Sequence, residues 1–103
     1  MAEYLCKKEL VKAYGKENVF KVAIGGATDF FVLEPGKRKI LKIVEVKNTK
    51  KSKWYPSEHD IKQLEAIYKI HKEHNIPVEY WIRIKGEWNI LPIEKVKDMI
   101  KNH

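Results

Sequence analysis

The sequence predicts an α/β fold, a central mixed five-stranded sheet flanked by helices in the order α-β-β-β-α-β-β-α. Three observations lead there. Segments of helical period open the chain, interrupt the strands and close it. Between them lie short runs rich in Val, Ile, Phe and Trp, bounded by Gly, Pro and Asn. The third of these runs, Ile40 to Lys47, is apolar on both faces apart from Lys42, Glu45 and Lys47, the pattern of a strand inside a sheet. At 103 residues, a single domain spanning 1–103 is expected.

The elements follow in order. Ala2 to Tyr14 is an amphipathic helix with Cys6, Leu10, Ala13 and Tyr14 on one face, and Gly15 stops it. Asn18 to Ile24 alternates as a strand, Gly25-Gly26 forms a joint, and Thr28 to Leu33 is the second strand. Pro35-Gly36 turns the chain into the third strand, and a basic loop follows from Asn48 to Tyr55. Ser57 with Asp60 three residues on is a capping-box variant that starts a long helix. Its apolar stripe is Ile61, Leu64, Ile67, Tyr68 and His71, and Asn75 and Pro77 end it. Val78 to Ile84 and Trp88 to Leu91 are joined through Lys85-Gly86-Glu87, and a helix from Ile93 to about Asn102 closes the chain.

Composition narrows the function. Twenty-one Lys and Arg against fourteen Asp and Glu leave a net charge of +7, which favours a polyanionic partner such as nucleic acid. The competing reading is a charge-rich surface of the heat-adapted kind, since Lys and Glu are both plentiful. One cysteine, Cys6, forms no internal disulfide and no zinc-binding pair, and points to a reducing cytoplasm. The chain opens without the charged and apolar regions of a secretory signal. No stretch approaches the roughly 20 apolar residues needed to cross a bilayer, so no membrane partner is expected.

The chemistry concentrates in Asp29 through Lys47. Glu45 and Lys47 project from one face of a strand while Val46 points away. A hairpin pairing the second and third strands brings Asp29 beside Glu45. Two carboxylates and an ammonium then converge at one end of a sheet, which is costly without compensation. A hard divalent cation supplies it: Mg²⁺ takes oxygen ligands, and Asp29, Glu45 and the Val46 carbonyl offer three. Such a metal acidifies an attacking water, and Lys47 stands ready to orient that water, help deprotonate it or stabilise developing negative charge. The pattern alone leaves these roles open and favours a solvated strand end, against which stand its place at the end of an apolar central strand and the lysines that follow it.

Asp29 followed by Ile40 to Lys47 with Glu45-Val46-Lys47 resembles the PD-(D/E)xK nuclease superfamily. The longer string Glu45 to Lys51, Tyr55, the helix after Ser57-Glu58-His59, Ile76-Pro77-Val78, the Trp88 strand and the opening Glu9-Leu10-Val11 are similar to the archaeal Holliday junction resolvases. The resemblance covers nearly the whole chain. It implies a restriction-endonuclease-like fold and a Mg²⁺-dependent endonuclease, with Mn²⁺ able to substitute, that cuts branched DNA as a homodimer. Catalysis would fall to Asp29, Glu45 and Lys47. The chain departs from the family's pattern twice. Thr28 stands where a proline precedes the aspartate, and Lys7 stands where the first helix carries an acidic metal-site residue. Glu3, one turn earlier and about 400° away around the helix, is the better-directed substitute; Glu9 lies on the other flank of the stripe.

Around this core, Lys50, Lys51 and Lys53, with Lys37, Arg38 and Lys39 behind them, are candidates for phosphate contact, and Thr49 lies among them. Trp54 and Tyr55 are candidates to pack on sugars or wedge at a branch point, with core packing the alternative for Tyr55. Gly25, Gly26 and Thr28 offer backbone donors for a phosphate, or simply a turn. Gln63 is a candidate to face the site from the crossover helix, with a polar surface position the favoured reading, and His71 and His74 are read as packing and surface residues rather than metal ligands. Tyr80, Trp81 and Trp88 are candidates for a twofold interface, because resolving a junction takes two equivalent sites. Two further readings stay open: a nuclease of the same superfamily acting on nicked, flapped or linear DNA, and a basic DNA-binding module without a competent metal site.

Overall fold

The computed structural model describes residues 2–24, 27–37 and 39–101, with side chains at 23, 24 and 27–29 outside the described set. It is an α/β domain in which a five-stranded mixed sheet is covered by helices on both faces. The elements are α1 (Ala2–Tyr14), a 3-10 turn (Lys16–Asn18), β1 (Val19–Ile24), β2 (Ala27–Leu33), β3 (Ile40–Thr49), α2 (Glu58–His74), β4 (Val78–Ile84), β5 (Glu87–Pro92) and α3 (Ile93–Lys101). The strands lie side by side in chain order, β1 to β5, with β3 in the middle as its doubly apolar pattern predicts. All neighbours are antiparallel except β3 and β4. A parallel pair cannot be closed by a tight turn and needs a crossover, which α2 supplies.

Strand alternation divides the core. Phe30 and Val32 of β2, Val44 of β3 and Trp81 of β4 face α1, where Cys6 and Leu10 meet them. Ile43 of β3 and Val78, Tyr80 and Ile82 of β4 face α2 and α3, where Leu64, Ile67, Ile93 and Val96 pack. The buried line of α1 runs Ala2, Cys6, Leu10 at four-residue spacing. That spacing drifts around the helix toward half-buried Tyr14, and so leaves Ala13 exposed, contrary to expectation. Burial pushes the Cys6 thiol up to about 12, which makes it a packing group and not a nucleophile.

The turns match their residues. Gly15 has φ +94° and donates its amide to the Val11 carbonyl at 2.8 Å, closing α1 in a conformation open to glycine. Ile84 pairs with Glu87, so Lys85 and Gly86, with φ +49° and +83°, form a two-residue hairpin loop. The Ser57 hydroxyl accepts from the Asp60 amide at 3.1 Å and Asp60 Oδ2 from the Ser57 amide at 2.8 Å, completing the capping box. Asn75 caps the other end of α2 with φ +53°. No helix among the described residues is long and apolar enough to cross a membrane.

One boundary differs in a way that bears on function. β3 continues through Asn48 and Thr49 instead of ending at Lys47, because β4 pairs with it as far as Thr49–Ile84. The ladder with β2 stops earlier, at Asp29–Glu45. The central strand therefore runs past its β2 neighbour with one side paired to β4, and Glu45 and Lys47 lie where that happens.

Candidate active site at the end of the central strand

Backbone geometry sets the relation of the two acidic positions. The Ile43 amide donates to the Pro77 carbonyl at 2.9 Å, so odd residues of β3 direct their main chain toward β4 and even residues toward β2. Asp29 and Glu45, directly opposite in register, are therefore a non-hydrogen-bonded antiparallel pair. Such pairs bring Cα atoms to about 4.5 Å and share a sheet face. The side chain of Asp29 lies outside the described residues; its strand position is the one the sequence predicts. The same parity turns the Val46 main chain toward the β2 side, one residue past the last β2–β3 pair.

Glu45 is 1% exposed, on the face where its neighbours Ile43 and Tyr80 are core residues. Its Oε1 lies 3.5 Å from Lys47 Nζ, and its Oε2 is buried with no hydrogen-bond partner among the described residues. A carboxylate held this way costs several kcal/mol (order of magnitude) unless something compensates it.

Lys47 is held from the crossover helix. Its Nζ donates to Asp60 Oδ1 at 2.8 Å and to Gln63 Oε1 at 2.7 Å. Two of the three ammonium donors are thus engaged, while Glu45 Oε1 faces the same nitrogen. Asp60 divides its oxygens between this ion pair and the Ser57 cap. Partial burial pushes its carboxyl up, but the hydrogen bonds from Lys47 and from Ser57 outweigh that and hold it below its ordinary value of 3.8. Gln63 is 4% exposed, and its Nε2 is a buried donor with no partner among the described residues. An unpartnered acceptor on Glu45 and an unpartnered donor on Gln63 thus belong to side chains that meet at one ammonium.

Sequence reasoning misses Asp60 as a site residue, and Gln63 is buried beside Lys47 instead of taking the surface position that the sequence favours over a place facing the site. The cap explains Asp60 completely from sequence, which hides its second oxygen. Gln63 has the signal of lying three residues after Asp60 and four before buried Ile67, on the inward side of α2.

The other candidates divide. Lys50, Lys51 and Lys53 are exposed, and none of them forms an ion pair among the described residues. The Thr49 hydroxyl accepts from the Lys51 amide at 3.1 Å and so shapes this segment. Of the adjacent aromatics, Trp54 is the buried one and packs against Tyr80 at 6.3 Å between ring centroids, whereas Tyr55 is exposed and not the core residue of its alternative reading. Trp54 is therefore a core residue and does not wedge at a branch point. Glu3 does not join the cluster. It pairs with Lys21 at 3.0 Å, and Lys21, opposite Phe30 in register, is on the α1 face of the sheet, opposite to Glu45. Glu9 is exposed on α1.

Lys37 pairs with Glu34 at 3.2 Å and Lys39 is exposed, while Arg38, Gly25 and Gly26 lie outside the described residues, as does the Thr28 side chain. The ring of His71 bridges the Ile76 carbonyl and Glu94, tying α2 to α3, and His74 is exposed. Tyr80 and Trp81 are buried within the chain and so are not the suggested interface; half-buried Trp88 packs edge-on against Trp81 at 5.5 Å and under Arg83. No group of three metal-ligating side chains occurs among the described residues, a set that omits the Asp29 carboxylate. Comparison with protein-family models, curated proteins and solved structures gives no match.

Proposed function

We propose that this chain is a divalent-metal-dependent DNA endonuclease of the PD-(D/E)xK type with a restriction-endonuclease-like fold, and that it cuts branched DNA, four-way junctions first, as a homodimer. The observation that carries the reading is Glu45: a buried carboxylate with an unpartnered oxygen, opposite Asp29 at the end of a central strand. A hard cation is the compensation that such an acceptor lacks, and Asp29, Glu45 and the Val46 carbonyl are the groups that would hold it. When bound, Mg²⁺ or Mn²⁺ acidifies water and offsets charge on the scissile phosphate.

Lys47 then acts as a fixed positive charge. An ammonium donating to Asp60 and Gln63 is fixed in position, which suits stabilisation of an oxyanion. Exposed Lys50, Lys51 and Lys53 hold the phosphate backbone without reading sequence. A junction has two strands to cut, and a twofold dimer supplies two equivalent sites.

The test offers four-way junctions, nicked and flapped DNA and matched linear duplexes with Mg²⁺. Paired symmetric cuts confined to junctions, lost in Asp29→Asn and Glu45→Gln, are expected. Cuts in other structures reassign the substrate, and a strictly monomeric protein under cleaving conditions removes the junction reading. The pairing of Glu3 with Lys21 favours one other reading, a DNA-binding module whose first helix contributes nothing to a metal site. That reading prevails if no DNA is cut with either Mg²⁺ or Mn²⁺.

A further inference from the structure

The face that carries Glu45 and Lys47 also carries an apolar groove. Its volume is about 440 Å³, and Trp54, Ile84, Leu91 and Met99 line it, with Lys53, Tyr55 and Asn89 as further lining residues. It begins one strand from the candidate site: Ile82 and Ile84, both lining it, stand in register with Lys47 and Thr49. Adjacent strands are about 4.8 Å apart, so the groove lies beside the candidate site on the same sheet face. Two large apolar side chains are exposed to water at it, Tyr55 at 56% and Met99 at 39%.

We infer that this groove receives an unpaired base of the DNA, stacked on Tyr55, so that the chain prefers a strand with an unstacked nucleotide. The inference rests on the proposal that the chain binds DNA, but not on its cutting DNA. Charge selects this occupant. Lys50 and Lys51 lead from Thr49 toward the groove and Lys53 lines it, all exposed and outside any described ion pair, so the basic track beside the groove attracts a polyanion. The volume lies within the range of small-ligand pockets, about 300–1,000 Å³. An aromatic ring beside a basic track is the arrangement by which proteins hold single strands, since every base has a π-face. The Asn89 amide, one of whose protons points to the Glu87 carbonyl at 3.4 Å, keeps an oxygen and a second proton for a base edge.

The experiment measures fluorescence anisotropy of the full chain, without metal, on labelled oligothymidylate and on a fully paired duplex of equal length. Tyr55→Ala is expected to weaken oligothymidylate binding about 5- to 100-fold while leaving duplex binding unchanged. Asn89→Trp, which obstructs the groove from an exposed position, is expected to do the same. Circular dichroism confirms that both variants fold. Equal losses on both ligands, or none on the single strand, overturn the inference. So does a change in sedimentation of the free protein caused by Asn89→Trp, which reassigns the groove to a second copy. Because no metal is present, these results are independent of whether the protein cleaves.

Discussion

Lys47 Nζ donates to Asp60 Oδ1 at 2.8 Å while the other oxygen of the same carboxylate caps α2 through the Ser57 amide. One side chain thus starts the crossover helix and positions the ammonium of the central strand. A shift of the helix along its axis would break this bond or move the ammonium relative to Glu45.

Replacing that carboxylate should therefore affect stability and site together. Asp60→Ala removes a charge-assisted hydrogen bond and one arm of the capping box, and is expected to destabilise the fold by about 1–3 kcal/mol. Asp60→Asn, which keeps an acceptor oxygen for one of the two roles, should lose less. Denaturant unfolding of the two variants beside the parent checks the order.

The same residue predicts an acid limit. The Asp60 carboxyl is lower in the folded chain than its ordinary 3.8, so the ionised form is favoured by folding. Its contribution is complete above the unfolded value and is lost as pH falls below about 4. The midpoint temperature should drop across that range more steeply in the parent than in Asp60→Asn, as read by calorimetry at a series of pH values.

Glu45→Gln separates the cost of the buried carboxylate from its use. Lys47 retains Asp60 and Gln63, so the variant is expected to melt no lower than the parent in the absence of metal. Mn²⁺ should raise the melting temperature of the parent by mass action and leave Glu45→Gln unmoved. An equal response of the two proteins to Mn²⁺ would remove Glu45 from the metal site.

The lysines after β3 should act through phosphates. Changing Lys50, Lys51 and Lys53 together to Ala is expected to weaken binding to all duplex sequences alike. The slope of log K against log salt should become shallower by about 0.9 for each phosphate that the variant no longer neutralises. A titration at several salt concentrations reads both effects.

Much of this architecture is legible in the chain. α1, β4 and the start of α3 lie where periodicity and turn residues put them, and Ser57 and Asp60 cap α2 as their spacing requires. The length of β3 is not legible, because Asn48 and Thr49 are strand only through pairing with Arg83 and Ile84. The roles of Trp54 and Tyr55 are not legible either: adjacent aromatics in a loop have no period, and packing against Tyr80 selects which one is buried. Helix direction singles out Glu3, but it says nothing about Lys21 on a separate strand.

The sequence alone determined what is local: the order of elements, the parity that puts Glu45 and Lys47 on one face, and the hairpin that sets Asp29 against Glu45. These follow from alternation and turn chemistry within short spans. Only the tertiary structure decided that Glu45 is sealed from water and that Lys47 is held by Asp60 and Gln63, thirteen and sixteen residues away in the chain. It also decided that the groove opens on the same face. Each depends on how the crossover helix and the loop before it settle on the sheet, and that is chosen by the packing of Leu64, Ile67 and Trp54 against Ile43 and Tyr80 rather than by any neighbour in sequence.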